Sequence, residues 1–349
     1  MKIPQRGTAA ADLFDQLEAY RANDLQWRGG RAFAYVYHAG AEAEAVAKEA
    51  YSRYLSVNGL DFTVFPSVRR LETEVAAMCA SHLSAGPEAV GSFTSGGTES
   101  IMLAVKAARG AAKAKGGVPG TPEVILPVTA HAAFHKAAHY LGMKCVSIPV
   151  ERATMQVNVA DVAAAINENT VMLVGSATSY GPGVVDPIAE LGELAQRHAL
   201  WLHVDGCIGG FMIPYFRRLG AAIPDFDFRI PGVSSISMDL HKYGFAPKGA
   251  SVVMYRTAEH RRHQMFAFSG WTGYTIVNHT VQSSKSGGPL AAAWAVMRFL
   301  GDEGYLAIAE KLWEATNAIC DGIEAMDGIE LLVRPQMCLI AACSTSVNI

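Results

Sequence analysis

SISMDLHKYGFAPKGASVVMY, residues 235–255, is the stretch on which the reading of the fold turns. Two apolar runs, SSISMDL (234–240) and ASVVMY (250–255), flank an Asp-Leu-His-Lys-Tyr-Gly segment and a Pro-Lys-Gly turn. Their connection is too short for a crossover, so the two runs are expected to pair antiparallel. Lys242 ends the first run, with His241 beside it. A lysine at the mouth of a buried strand gives up hydration, and its pKa moves readily when it does. Schiff-base chemistry depends on that property. The plainer alternative is a lysine that reaches out to solvent.

Working outward, the same rhythm continues upstream. EVILPV (123–128), KCVSIPV (144–150), VMLVGSAT (171–178) and LWLHVD (200–205) are apolar throughout, and helix-patterned segments separate them. Strands without polar alternation need cover on both faces, so the class is α/β with a mostly parallel sheet. AARGAAKAKGGVPGTPE (107–123) reads as an exposed loop. Residues 1–66 hold an amphipathic helix (ADLFDQLEAYRA) but too little apolar surface for a core of their own. Residues 67–288 form the large domain. From 289 a long apolar helix leads into GIELLVRPQMCLIAACST, the start of a smaller α+β unit. The chain ends at SVNI in what reads as mid-strand, and truncation at the C-terminus is expected because two strands and one helix make a marginal unit.

Composition narrows the classes. With 349 residues, half of them hydrophobic, the chain can bury a large core. A net charge of -3 gives no basic footprint for nucleic acid. The longest apolar runs are too short for a transmembrane segment, and the N-terminus has no continuous apolar signal region. Six scattered cysteines without a C-x-x-C pair suit free thiols in a reducing compartment, so a cytoplasmic protein is expected.

Four stretches carry chemistry. GSFTSGGTES (91–100) runs into a helix, and its Gly97 and Thr98 offer free N–H groups at a positive helix end, a place for a phosphate or simply a capping turn. Asp205 ends LWLHVD at the carboxyl edge of the sheet, where ligands of open α/β sheets bind and where a carboxylate needs a cationic partner. Lys242 ends the next strand. His131 follows the EVILPV strand, whereas His135 and His139 at i+4 and i+8 lack further ligands for a metal and read as a solvated helix face. Together, phosphate cradle, strand-end acid and strand-end lysine are what pyridoxal 5′-phosphate (PLP) requires. The lysine bonds the aldehyde, the acid keeps the pyridine nitrogen protonated, and His131 can stack on the ring.

SGGTES, PVTAHAAFHKAAH, WLHVDGCIGGF, DFDFRIPGVSSISMDLHKYGFAPKG and SSKSGG together resemble the sphingosine-1-phosphate lyase family, among the group II decarboxylase-like PLP enzymes of fold type I. The resemblance spans about residues 30–345. It implies a PLP-dependent transferase fold with a seven-stranded sheet and a small C-terminal domain, and a homodimer with its sites at the interface. It implies Lys242 as the Schiff-base lysine, Asp205 as partner of the pyridine nitrogen and His131 as the stacking residue. Gly97, Thr98 and His241 match contacts to the cofactor phosphate, and Gly273 matches one made from the neighbouring subunit. Tyr37, Asn58, Tyr180 and Lys248 match positions that contact substrate or shuttle protons. The implied reaction cleaves a phosphorylated long-chain β-hydroxy amine, such as sphingosine 1-phosphate, to an aldehyde and phosphoethanolamine. An amino-acid decarboxylase of the same superfamily is the alternative, and a catalytically silent assembly subunit a third reading.

Two positions depart from the family pattern. Asp61 stands where a histidine helps hold the substrate phosphate, and a carboxylate there is expected to repel a dianion. Lys285 in Ser284-Lys285-Ser286-Gly287 replaces a forked guanidinium with a point charge. An amine without phosphate, or with a cationic group, is therefore a candidate substrate as well.

Overall fold

Strands that are apolar on both sides demand two covering layers, and the computed structural model, which describes residues 2–30, 32 and 34–344, provides them. Two units separate by their contacts, Met1–His38 and Ala39–Ile349. The first holds helix α1 (Ala10–Tyr20), whose Leu13, Phe14 and Leu17 are exposed, and a turn in which Arg28 lies 4.5 Å over the Trp27 ring.

The second unit opens with α2 (Ala41–Arg53) and α3 (Pro66–His82). The sheet strands and their helices follow in order: β1 (Val90–Thr94), α4 (Gly97–Ala114), β2 (Glu123–Pro127), α5 (Ala133–Leu141), β3 (Lys144–Ile148), α6 (Val159–Ala165) and β4 (Thr170–Ser176). Then come α7 (Ile188–Arg197), β5 (Trp201–Asp205), α8 (Ile213–Arg218), β6 (Val233–Met238), β7 (Ser251–Tyr255) and α9 (Ala258–Arg262). A hairpin of β8 (Phe266–Phe268) and β9 (Ile276–Asn278) precedes α10 (Gly288–Glu324), and β10 (Ile329–Leu331) pairs with β11 (Ala342–Ser344).

The seven-stranded sheet has the order β1-β7-β6-β5-β4-β2-β3. Strands β3, β2, β4, β5 and β6 are mutually parallel, and β7 runs antiparallel to both β6 and β1, as its short connection requires. Alternate side chains serve the two faces. Met172, Val174, Val253 and Tyr255 pack with α4 and α5, while Leu173, Leu202, Val204, Val252 and Met254 pack with α3, α7, α8 and α10. On α2, Ala47 packs against Ala292 and Val296 of α10.

Several expectations change. VGSFT is a strand, though its Gly and Ser hide it from an apolar-run search; it becomes the sheet edge by pairing Val90 with Tyr255. The loop expected over 107–123 begins only after Ala114, because α4 keeps burying Ala107 and Ala108. The long helix α10 is interrupted at Gly301, whose φ of 59° and ψ of -178° suit a residue without Cβ. The β-rich end does form a second, two-stranded sheet.

Candidate active site

Lys242 is not the last residue of its strand. β6 ends at Met238, and Asp239–Gly244 curls into a turn that lays Lys242 over the sheet's carboxyl edge. The turn is pinned on both sides: the Ala246 N–H donates to the Leu240 carbonyl (2.9 Å) and the His241 N–H to the Ala250 carbonyl (2.9 Å). A Cβ at Gly244 would fall 2.6 Å from the Leu240 carbonyl oxygen, so the turn closes only around glycine. Gly249, at φ +93°, reverses the chain into β7.

The turn faces the start of α4. Ser95, Gly96, Gly97, Thr98, His131, Cys207, Asp239, His241 and Lys242 line a cavity of ≈ 320 Å³ at the carboxyl ends of β1, β2, β5 and β6. Five of the residues proposed from sequence for the cofactor, Gly97, Thr98, His131, His241 and Lys242, thus meet in one cavity. Asp205 lies just beneath it, buried at the end of β5; its Oδ1 accepts from the Cys207 N–H (3.0 Å) and the Ser237 hydroxyl (3.3 Å). His203, two residues earlier, is enclosed between Ser235 and Ser237, and burial pushes its pKa down to about 4, so it stays neutral.

Lys242 itself departs from expectation. Burial works against its ammonium, but the Asp239 carboxylate at 2.9 Å, with Cys207 and Asp205 behind, more than reverses this and holds Lys242 above the ordinary lysine range. Desolvation alone suggested the opposite direction. Asp239 sits three residues before the lysine, on a turn where i and i+3 meet; that spacing was the available signal. Cys207, another residue with no role assigned from sequence, is buried with its thiol pushed well up, first by burial and then by Asp205 and Asp239.

A second cavity, of ≈ 440 Å³, adjoins the first through Ser95. Its polar lining includes Glu72, Lys248, Gln282, Ser284 and Lys285. Lys248 donates to the His241 carbonyl (3.2 Å), and burial with the neighbouring Lys242 lowers its pKa. Burial also lowers Lys285, against the pull of Glu72 and Glu99, and its Nζ donates to the Thr280 hydroxyl (3.0 Å). Asn58 borders this cavity: its Oδ1 accepts from the Leu60 N–H (3.0 Å) and, at 3.4 Å, from the Lys285 N–H.

Other positions singled out in the sequence lie apart. Asp61 is exposed, and its Oδ1 accepts from both the N–H (2.8 Å) and the hydroxyl (2.6 Å) of Thr63, which lowers its pKa and closes its own turn. Tyr180 is 57% exposed, and Gly273 sits on the β8–β9 connection against the Trp271 ring; neither lines either of these two cavities. Tyr37 belongs to the first unit. His135 and His139 are exposed on α5.

The first cavity fits PLP on its own geometry. A Cβ on Gly97 would lie 2.8 Å from Cys207 Sγ and 2.9 Å from both Asp239 oxygens, so only a bare backbone can approach this closely. The first-turn N–H groups of α4 have no partners within the helix and offer an anion their partial positive charge. Asp239 Oδ1 is a buried acceptor without a partner.

Comparison with known proteins agrees. The pyridoxal-dependent decarboxylase conserved domain matches residues 1–343. A sphingosine-1-phosphate lyase of Oryza sativa subsp. japonica is 44% identical over 97% of this chain, which spans 64% of that relative's length. A probable L-aspartate decarboxylase of Pyrococcus furiosus is 34% identical over 98% of this chain and 89% of its own. The structure of a Burkholderia pseudomallei sphingosine-1-phosphate lyase superposes with a TM-score of 0.96 at 40% identity, over 100% of this chain and 81% of that one. Lysine turn, glycine cradle and sheet order therefore have one explanation: the chain belongs to the pyridoxal-dependent decarboxylase family, and pyridoxal 5′-phosphate is its cofactor.

Proposed function

We propose that this chain is the catalytic part of a PLP-dependent carbon–carbon lyase. It would cleave a phosphorylated long-chain β-hydroxy amine of the sphingosine 1-phosphate type to an aldehyde and phosphoethanolamine. One observation carries this reading: two lysines, Lys248 and Lys285, line the cavity that adjoins the Lys242 cavity, giving a dianionic headgroup a cationic wall beside the reacting centre. The likeness to lyases from rice and B. pseudomallei supports it.

When bound, PLP supplies an electron-accepting ring conjugated to the substrate's amine-bearing carbon. In this reading Lys242 would bond the cofactor aldehyde and present it where a substrate amine can reach it. Asp205 would keep a proton on the ring nitrogen, and His131 would face the ring. Gly97, Thr98 and His241 hold the cofactor phosphate. Tyr180 and Lys248 move the proton of the carbon-3 hydroxyl, and Lys248 is suited to this by its lowered pKa. Asn58 and Tyr37 would contact the substrate and orient it. The Thr63 hydrogen bonds keep Asp61 ionised, but its charge is exposed, so solvent screens its repulsion of a phosphate.

The functional division proposed is an N-terminal segment (1–66), a PLP-binding domain (67–288) and a C-terminal α+β portion (289–349). A homodimer is proposed too, with Gly273 reaching the cofactor phosphate of the other subunit. Phe266, Phe268, Trp271 and Val277 of the β8–β9 hairpin are each at least half exposed, an apolar face of the kind that subunits cover. No helix among the described residues is long and apolar enough to cross a membrane, and a cytoplasmic location is proposed. A second reading, amino-acid decarboxylation, is favoured by the match to most of the P. furiosus decarboxylase's length.

Borohydride reduction of the holoprotein, peptide mapping and product analysis test the proposal together. The label is expected on the Lys242 peptide, with aldehyde released from phosphorylated amines. Label on another lysine refutes the site; carbon dioxide from amino acids, without aldehyde, selects the second reading.

A further inference from the structure

Glu99, in the first turn of α4, is 7% exposed and engages both carboxylate oxygens with groups outside its own helix. Its Oε2 accepts from the Ser95 N–H (2.6 Å) and hydroxyl (2.7 Å). Its Oε1 accepts from the Val281 N–H (2.7 Å) and, at 3.4 Å, from the Gln282 N–H. Helix capping accounts for the first oxygen, since an acid in a first turn commonly reaches back to the entering chain. It does not account for the second, which crosses 182 residues of sequence.

The bridge joins the two cavities, and Glu99 itself lines the first. Ser95 lines both, and Gln282, Ser284 and Lys285 on the far end line the second. A parallel strut runs alongside: Glu72 Oε1 accepts from the Phe93 N–H (2.9 Å) and pairs with His279 Nε2 (3.1 Å), tying β1 to the start of the same segment. Residues 279–285 are thus slung between two carboxylates, the half-buried Glu72 bonded to β1 and the buried Glu99 bonded to the Ser95 end of the glycine turn.

We propose that Glu99 is a positioning residue that couples the cofactor cradle to the cationic wall of the substrate cavity. An anion seated on the Gly97–Thr98 N–H groups fixes the 95–98 turn, Glu99 carries that order to Val281 and Gln282, and Lys285 is thereby held ready. The inference rests on the reading that the Lys248–Lys285 cavity takes the substrate headgroup. Coupling of this kind is reciprocal, and typical values are about 5–150-fold.

The test is amide hydrogen exchange of the full chain with and without PLP, joined to steady-state kinetics. In wild type, PLP is expected to slow exchange over 281–286 by about fivefold or more. Glu99→Gln has one acceptor oxygen, so an amide N–H must face either Ser95 or Val281. In this variant the PLP-dependent protection of 281–286 should vanish while protection of 95–98 persists. The Michaelis constant for a phosphorylated amine should rise roughly tenfold with little change in kcat, the loss expected for one hydrogen bond to a charged group. If Glu99→Gln does not fold, Glu99→Asp keeps the charge but is too short to reach both ends, and the same loss is expected. Wild type without PLP-dependent protection at 281–286, or a variant that retains it, overturns the inference whatever the substrate. Coupling that is present and Glu99-dependent, with no phosphorylated amine turned over, upholds the inference and sinks the substrate reading instead.

Discussion

Replacing Asp239 by Asn should move the proton on Lys242. The two side chains are 2.9 Å apart, with 3% of the Asp239 side chain and 21% of the Lys242 side chain exposed. At an effective dielectric of about 20, two unit charges at that distance attract by roughly 6 kcal/mol. Burial offsets part of this, and breaking comparable buried pairs costs about 3–5 kcal/mol. At about 1.4 kcal/mol per unit, that is a fall of roughly two to three and a half pKa units. With Asp239 neutral, burial, already the largest single influence on Lys242, is left less opposed and lowers it. The sign follows: a wild-type amine held above the ordinary lysine range reacts faster as pH rises, and the Asn variant reaches the same rate at least two units lower. The assay is the pH dependence of PLP capture by the apoprotein, followed by absorbance and trapped with borohydride on the Lys242 peptide. Superimposable profiles for wild type and Asp239→Asn would refute the claim that this carboxylate holds the proton.

Two further outcomes follow from buried groups. Burial pushes the Asp186 carboxyl up to about 7, while its Oδ2 accepts from the Ser176 N–H (2.8 Å) and its Oδ1 has no partner. The folded state therefore binds this proton more tightly than the unfolded state; the contribution is full below about 3.8 and is lost as pH rises toward 7. Asp186→Asn should remove about 2–3 kcal/mol of the stability that wild type loses between pH 5 and pH 8, measured by urea unfolding; equal losses in both proteins would count against it. Gly97→Ala must push Cys207 Sγ and the Asp239 carboxylate out of place, so PLP affinity should fall by about tenfold or more and stability by roughly 1–3 kcal/mol. Unchanged PLP binding in an Ala variant would mean that α4 does not need this close approach.

Much of the molecule was written in short-range pattern. Fully apolar runs between amphipathic segments called for a covered parallel sheet, and the brief link between SSISMDL and ASVVMY called for the antiparallel β6–β7 pair; both are present. Gly97, Thr98, His131, His241 and Lys242 could be gathered from sequence because each sits a few residues past a strand or at the start of a helix, where the sheet's topology sends ligands. Such features depend on neighbours within one turn or one strand, and sequence displays those directly. The edge strand β1, the Asp239 hold on Lys242, the outward turn of Asp61 and the Glu99 bridge were decided otherwise. Each depends on which distant backbone arrives beside the residue: Tyr255 for Val90, Val281 for Glu99. Burial and the partner that burial brings set the strength and sign of those contacts, and neither exists until the chain has closed on itself.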